Sequence, residues 1–306
     1  MPRKVHVCTL SGAVLLTRPH EKKLAAYLDL LDDAASLRPD IICLPEAFAD
    51  ETGDDPVKSD EIRDTLMTEL GKRAKKAGSY IVAGAFEIAG GAKYNVAWLF
   101  GRDGALVGRY YKNHPTTGEI NNRNVCSGTE IPVFDTDFGR IGVAICFDIG
   151  WPGVWQTLSD KGAELVVWPS AYDGGFPLQS YAWRHSYYVV SSVWTNHSKI
   201  IDKTGRVLHS SSRWQGWTYG VVDLEKELFH VGAGNHQDTI IRTILRKYGR
   251  DVTIESFSEE DMFTLESNSD AIPMSALKAE FSLPNHRDFH RINTELQLKS
   301  TAGAAP

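Results

Sequence analysis

Arg140-Ile-Gly-Val-Ala-Ile-Cys146, followed by Phe147-Asp-Ile-Gly-Trp-Pro152, is the stretch that decides the fold. Its apolar run reads as a strand buried on both faces. The run stops at Asp148-Ile-Gly-Trp, and Pro152 suits the first turn of a helix. A buried strand feeding a helix belongs to an α/β sheet, and Cys146 then stands at the carboxyl edge, where ligands of such sheets collect. The backbone N–H groups from Phe147 onward point the same way and can serve as an oxyanion hole. The positive end of the helix beginning near Pro152 is expected to favour a thiolate. The structural reading of Cys146 is a small buried hydrophobe.

Outward from this stretch, strand and helix signals alternate. Pro19 to Arg38 carries Leu24, Leu28 and Leu31 at helical spacing, and Asp40-Ile-Ile-Cys-Leu44 is a buried strand. Helical spacing returns through Ile62, Leu66 and Leu70, with basic residues at 72, 73, 75 and 76 and Gly78 as the stop. Ser79 to Phe86, Tyr94 to Phe100 and Ala105 to Tyr111 are strands joined by turns at Gly90-Gly91 and Asp103-Gly104, so the sheet is mixed. A loop spans 113 to 130. Beyond Pro152, strands are expected at Glu164 to Trp168, Tyr187 to Trp194, Lys199 to Ile201 with Val207, and Tyr219 to Val222. Pro177 to Ser186 is a short helix between the first two, and Gly205 marks a hairpin turn.

Residues 1–229 read as one domain. From 230 to 306 the chain is more polar, with a short helix at Thr239 to Tyr248, and reads as an extension over the core or onto a partner subunit, disordered in its last few residues.

The composition of the 306 residues, 42% apolar and 24% charged, is that of an ordinary globular protein and excludes disorder, collagen and coiled coil. With 33 basic and 39 acidic residues the net charge is −6, and no block of like charges offers a phosphate backbone a surface, so no nucleic-acid partner is expected. The opening imitates a signal peptide, but His6 interrupts its apolar stretch and Val5, Val7 and Thr9 alternate as a strand. No apolar run reaches the roughly 18 residues that span a bilayer. Four cysteines, at 8, 43, 126 and 146, lack C-x-x-C spacing and indicate a reducing compartment. The expected location is therefore cytoplasmic, without a membrane partner.

Two further polar groups stand straight after buried strands. Ile41-Ile-Cys-Leu-Pro-Glu46 ends in a carboxylate and Leu106-Val-Gly-Arg-Tyr-Tyr-Lys112 in an amine. Each alone reads as a solvated strand end; with Cys146 they make a base, a cation and a nucleophile on rigid strand termini.

In LPEAF around Glu46, GRYYKNH around Lys112, and GVAICFDIGWPGVW followed by GAELVVWPSA around Cys146, the chain resembles the carbon-nitrogen hydrolase family, or nitrilase superfamily, from about residue 4 to 225. The resemblance implies a four-layer α-β-β-α sandwich with two mixed β-sheets, paired into dimers or larger homo-oligomers, and needing no cofactor or metal. It implies that Cys146 is the nucleophile, Glu46 the general base and Lys112 the cation that holds the tetrahedral intermediate, and it offers Glu119 as a second glutamate, with Glu130 a weaker competitor. Cys-Phe-Asp at the nucleophile is more similar to the amidase and carbamoylase branches than to the nitrile-cleaving one. The implied activity is hydrolysis of a small amide or N-carbamoyl compound. The alternatives are a nitrilase and a catalytically silent relative acting as a binding or regulatory subunit; acyl transfer shares the thioester step.

The candidate substrate-binding residues are Phe147, through its backbone N–H at the oxyanion, and Trp151, Trp168 and Tyr172, which suggest an apolar or planar group. Ile149, Gly150 and Trp151 replace the arginines that the carbamoyl-amino-acid branch places after its nucleophile. Arg184, followed by His185, also departs from the family and reads as a structural ion pair or a contact for an anionic substrate end. His286 and His290 lie one helical turn apart without a visible third ligand, so no metal is expected. His114 reads as support for its loop, and Gly232-Ala-Gly234 is too short a motif for a nucleotide site.

Overall fold

The computed structural model describes residues 2–12, 20–49, 56–232 and 239–302. The chain divides into two compact units, Val5–Val222 and a smaller one made of Met1–Lys4 with Asp223–Pro306.

Along the larger unit, β1 (Lys4–Leu10) leads through α1 (His20–Ala35) to β2 (Ile41–Cys43), and α2 (Pro56–Ala77) leads to β3 (Tyr80–Ala89), β4 (Ala92–Phe100) and β5 (Leu106–Tyr111). After α3 (Thr117–Arg123) come β6 (Val133–Asp135), β7 (Arg140–Val143), α4 (Pro152–Asp160), β8 (Leu165–Ser170), α5 (Phe176–His185) and β9 (Tyr188–Val193). The unit closes with β10 (Lys199–Ile201), β11 (Val207–Ser210) and β12 (Trp217–Asp223). Among the described residues they form two six-stranded sheets, ordered β12-β1-β2-β3-β4-β5 and β11-β10-β9-β8-β7-β6. Both are mixed. In the first, β1, β2 and β3 are parallel and β3, β4 and β5 antiparallel. In the second, β7, β8 and β9 are parallel while β6, β10 and β11 pair antiparallel.

Leu31 of α1 and Leu66, Leu70 and Ala74 of α2 pack on Ile42, Ile81 and Trp98 of the first sheet. Val154, Trp155 and Leu158 of α4, with Leu178 and Ala182 of α5, pack on Val166, Trp168 and Val189 of the second. The sheets are bonded to each other: Thr9 Oγ1 donates to the Ser191 carbonyl at 2.7 Å, and Ser192 Oγ reaches the carbonyls of Leu10 at 2.7 Å and Cys43 at 3.1 Å. The order helix, sheet, sheet, helix is the sandwich that the resemblance implies.

Two local differences from the sequence reading bear on the site. The strand expected to run to Cys146 ends at Val143, because the Asp148 carboxylate takes the Ile145 N–H at 2.9 Å and Cys146 turns away with φ 45°. The expected loop 113–130 contains α3, a helix whose N-cap Thr116 and N3 residue Glu119 satisfy each other's backbone N–H in a capping box.

In the smaller unit, β13 (Glu227–His230), α6 (Ile240–Tyr248), β14 (Val252–Phe257), β15 (Met262–Ser267), α7 (Met274–Glu280) and α8 (His286–Ala302) follow one another. The strands form an antiparallel sheet, β13-β15-β14. Phe229, Phe263 and Leu265 bury against Ile240, Ile244, Met274 and Leu277, so residues read as a polar extension carry their own core. The sequence reading placed its boundary after 229; pairing with β15 puts Glu227–His230 in the smaller unit. The expected disordered end, for 303–306, and Gly234 of the Gly-Ala-Gly motif lie outside the described residues.

Candidate active site

Glu46 and Lys112 come from the first sheet, Cys146 from the second. Glu46 follows β2 in a turn whose backbone lies against β3: a Cβ on Gly84 would sit 2.6 Å from Glu46 Cα, so only glycine fits there. Trp194 clamps the turn from the other sheet, its indole N–H donating to the Glu46 carbonyl at 2.6 Å. Lys112 follows β5 and is fully buried. Cys146 opens a 3₁₀ turn, Cys146–Gly150, in the left-handed region that a side chain rarely adopts, and Trp168 donates its indole N–H to the Cys146 carbonyl at 3.1 Å.

The charged groups form a closed network. Lys112 Nζ donates to Glu46 Oε1 at 2.8 Å and to Glu119 Oε2 at 2.8 Å. Asn95 Nδ2 donates to Glu46 Oε1 at 2.7 Å and to Glu119 Oε1 at 2.6 Å. The Ala171 N–H from the second sheet reaches Glu46 Oε2 at 3.0 Å, and the Thr116 N–H reaches Glu119 Oε2 at 2.7 Å. Glu119 thus caps α3 and holds Lys112 with the same carboxylate. All four residues are buried.

Burial works against the Lys112 charge, but Glu46, the Cys146 sulfur and Glu119 outweigh it and hold the ammonium firmly protonated. Burial likewise opposes the Glu119 charge, yet Lys112, Asn95 and the Thr116 N–H keep its carboxyl below the usual range. For Cys146, burial first and the Glu46 charge second push the thiol up to about 12, against partial relief from Lys112, the Ser170 hydroxyl and the Ala171 N–H. The pull toward a thiolate expected from the helix beginning near Pro152 is outweighed by burial, and the shift runs with the expectation that a base must take the thiol proton.

The aromatic candidates divide. Phe147, Trp151 and Tyr172 are partly exposed, Phe147 edge-on to Trp151, which stacks on His114 at 4.1 Å. Burial, then the Cys146 and Glu46 charges, push the Tyr172 hydroxyl up to about 12, which puts it within the field of those two groups. Trp168, expected to line the pocket, is fully buried; it supports the nucleophile turn from beneath. Glu130 is exposed at a surface pocket with Thr129 and Ile131 and joins no part of the network. Arg184 is exposed on α5 and forms no ion pair with the described residues, while His185 is buried between Tyr181 and Tyr187. His286 and His290 meet edge to face at 4.5 Å; among the described residues no group of three potential metal ligands occurs.

Sequence reasoning missed Asn95, Asp148, Ser170 and Trp194. Asn95 had a signal, an amide inside the apolar strand Tyr94 to Phe100, and Glu119 had a second one in the Thr116-x-x-Glu119 capping pattern.

A model of the carbon-nitrogen hydrolase family matches residues 13–227, and the chain belongs to that family. The omega-amidase NIT2 of Xenopus tropicalis is 31% identical over 154 residues, 47% of this chain and 56% of that protein, so the match spans little more than half of the frog relative. Human omega-amidase NIT2 is 27% identical over 221 residues, 63% of this chain and 80% of that one. A carbon-nitrogen hydrolase from Helicobacter pylori G27 shares the fold with a TM-score of 0.64 at 19% identity, covering 73% of this chain and 90% of that structure.

Proposed function

We propose that this protein hydrolyses the carbon-nitrogen bond of a small amide through an acyl thioester on Cys146. The observation that carries the reading is the position of Lys112 Nζ, 2.8 Å from both Glu46 and Glu119 and coupled to the Cys146 sulfur. Glu46 takes the thiol proton as sulfur attacks the carbonyl carbon. The oxyanion lies between the Lys112 ammonium and the Phe147 N–H, a preorganised donor of this kind contributing about 3 kcal/mol. Collapse breaks the C–N bond, and Glu46 returns its proton to the departing ammonia or amine. Water, deprotonated by the same carboxylate, then attacks the thioester, releases the acid and restores the thiol. Glu119 and Asn95 hold Lys112 and Glu46 in register.

The family match and the omega-amidases among the relatives support an amide over a nitrile. N-carbamoyl compounds share the same chemistry. Trp151 and Tyr172 favour a substrate with an apolar or planar part. Mass spectrometry of the protein mixed with an amide series is expected to trap an acyl adduct on Cys146, with ammonia released. Turnover retained by Cys146→Ala would overturn the reading; ammonia from a nitrile but not from the matching amide would make the protein a nitrilase.

The reading extends to a cytoplasmic homo-oligomer. Four free cysteines support a reducing compartment, and exposed Phe176 and Trp183 on α5 support a covered face. Cell fractionation and light scattering test the two points.

A further inference from the structure

We propose that Asp148 is a positioning residue that sets the separation of the nucleophile from its cation, by tying the strand end that carries Lys112 to the turn that carries Cys146. This rests on the hydrolase reading above. Asp148 is fully buried and its carboxylate meets four donors. Oδ2 accepts from the Tyr110 hydroxyl at 2.7 Å and the Ile145 N–H at 2.9 Å. Oδ1 accepts from the His114 N–H at 2.9 Å and faces His114 Nδ1, also at 2.9 Å.

The positions of these donors give the carboxylate its role. Tyr110 and His114 lie two residues before and two after Lys112, and Ile145 immediately precedes Cys146. Tyr110 belongs to β5 in one sheet, whereas Ile145 follows β7 in the other. The reacting groups are dealt between two sheets that are also bonded to each other at Thr9, Ser192 and Glu46, and Asp148 adds a bond to both beside Lys112 and Cys146. A misplacement of about 1 Å can cost roughly 10²-fold in rate. An amide cannot take over the role, because an NH₂ group at position 148 would face donors and leave them unsatisfied. His114 is held from its other side by the Trp151 ring, stacked at 12°.

The test uses the full chain carrying Asp148→Asn and, separately, His114→Ala, which removes the ring contact with Asp148 and the stack on Trp151 from a partly exposed site. Four quantities are read: kcat, KM, thermal midpoint, and the rate at which iodoacetamide alkylates Cys146, resolved by peptide mass spectrometry. The expected result is a fall in kcat of about 10²-fold for Asp148→Asn and about 10-fold for His114→Ala, with KM within threefold and alkylation slowed in parallel. A merely structural role lowers the thermal midpoint and leaves kcat and alkylation of the folded protein alone. That result in a folded Asp148→Asn, or in His114→Ala if the first variant does not fold, overturns the proposal. Slowed alkylation in a protein whose wild type cleaves no amide would uphold the tie and sink the hydrolase reading instead.

Discussion

Glu46 and Asp148 are both buried carboxylates, one acting on the Cys146 thiol and the other bonded to the N–H of the residue before it, and their surroundings differ in kind. Glu46 shares the Lys112 ammonium and the Asn95 amide with Glu119, so three formal charges crowd into one network. Asp148 is solvated by a hydroxyl, two backbone N–H groups and an imidazole. The first arrangement suits the base proposed above, because the ammonium holds the carboxylates together. A buried carboxylate beside a cation and a thiol marks chemistry; one ringed by fixed dipoles marks scaffolding.

The contrast breaks most sharply at Glu46. Glu46→Gln keeps the shape and removes the base, and kcat is expected to fall about 10³-fold with the protein folded. A fall of less than tenfold in a steady-state assay would reassign the base. Lys112→Met removes the cation from between two carboxylates. It is expected to cost about 10²-fold in kcat and, in a urea titration, about 3–5 kcal/mol of stability. His114→Ala, beside Asp148, is expected to lose only about 1 kcal/mol in the same titration.

The resting thiol supplies a pH test. Because its titration lies near 12, the thiolate fraction increases with pH throughout the working range. Alkylation of Cys146 is expected to rise about tenfold per pH unit from 8 to 11. A plateau below pH 9 would show that the sulfur rests as a thiolate. The smallest effect is expected for Trp168→Phe, which removes one hydrogen bond beneath the nucleophile turn: a several-fold loss in kcat with KM unchanged.

Glu46, Lys112 and Cys146 were legible as polar groups after strand-like runs, and their roles only through the three ordered motifs that resemble the family. Asn95 and Asp148 were not, since their partners come from other strands and, for Asp148, from the other sheet. The seven-residue helix α3 lacks apolar periodicity and announces itself only through its capping pair. The core of the smaller unit was hidden because β14 and β15 alternate apolar residues with acids and hydroxyls, which along the chain resembles a solvated tail. The two-sheet architecture was legible only in part: periodicity gives mixed α/β, and the pairing order depends on contacts between distant residues.

A sulfur kept protonated until a substrate arrives is also a durable sulfur. Oxidation by peroxide proceeds through the anion and advances toward sulfenic and sulfinic acids, so the same burial that makes Cys146 depend on Glu46 shields it between turnovers. Peroxide is therefore expected to modify Cys146 more slowly than an exposed thiol.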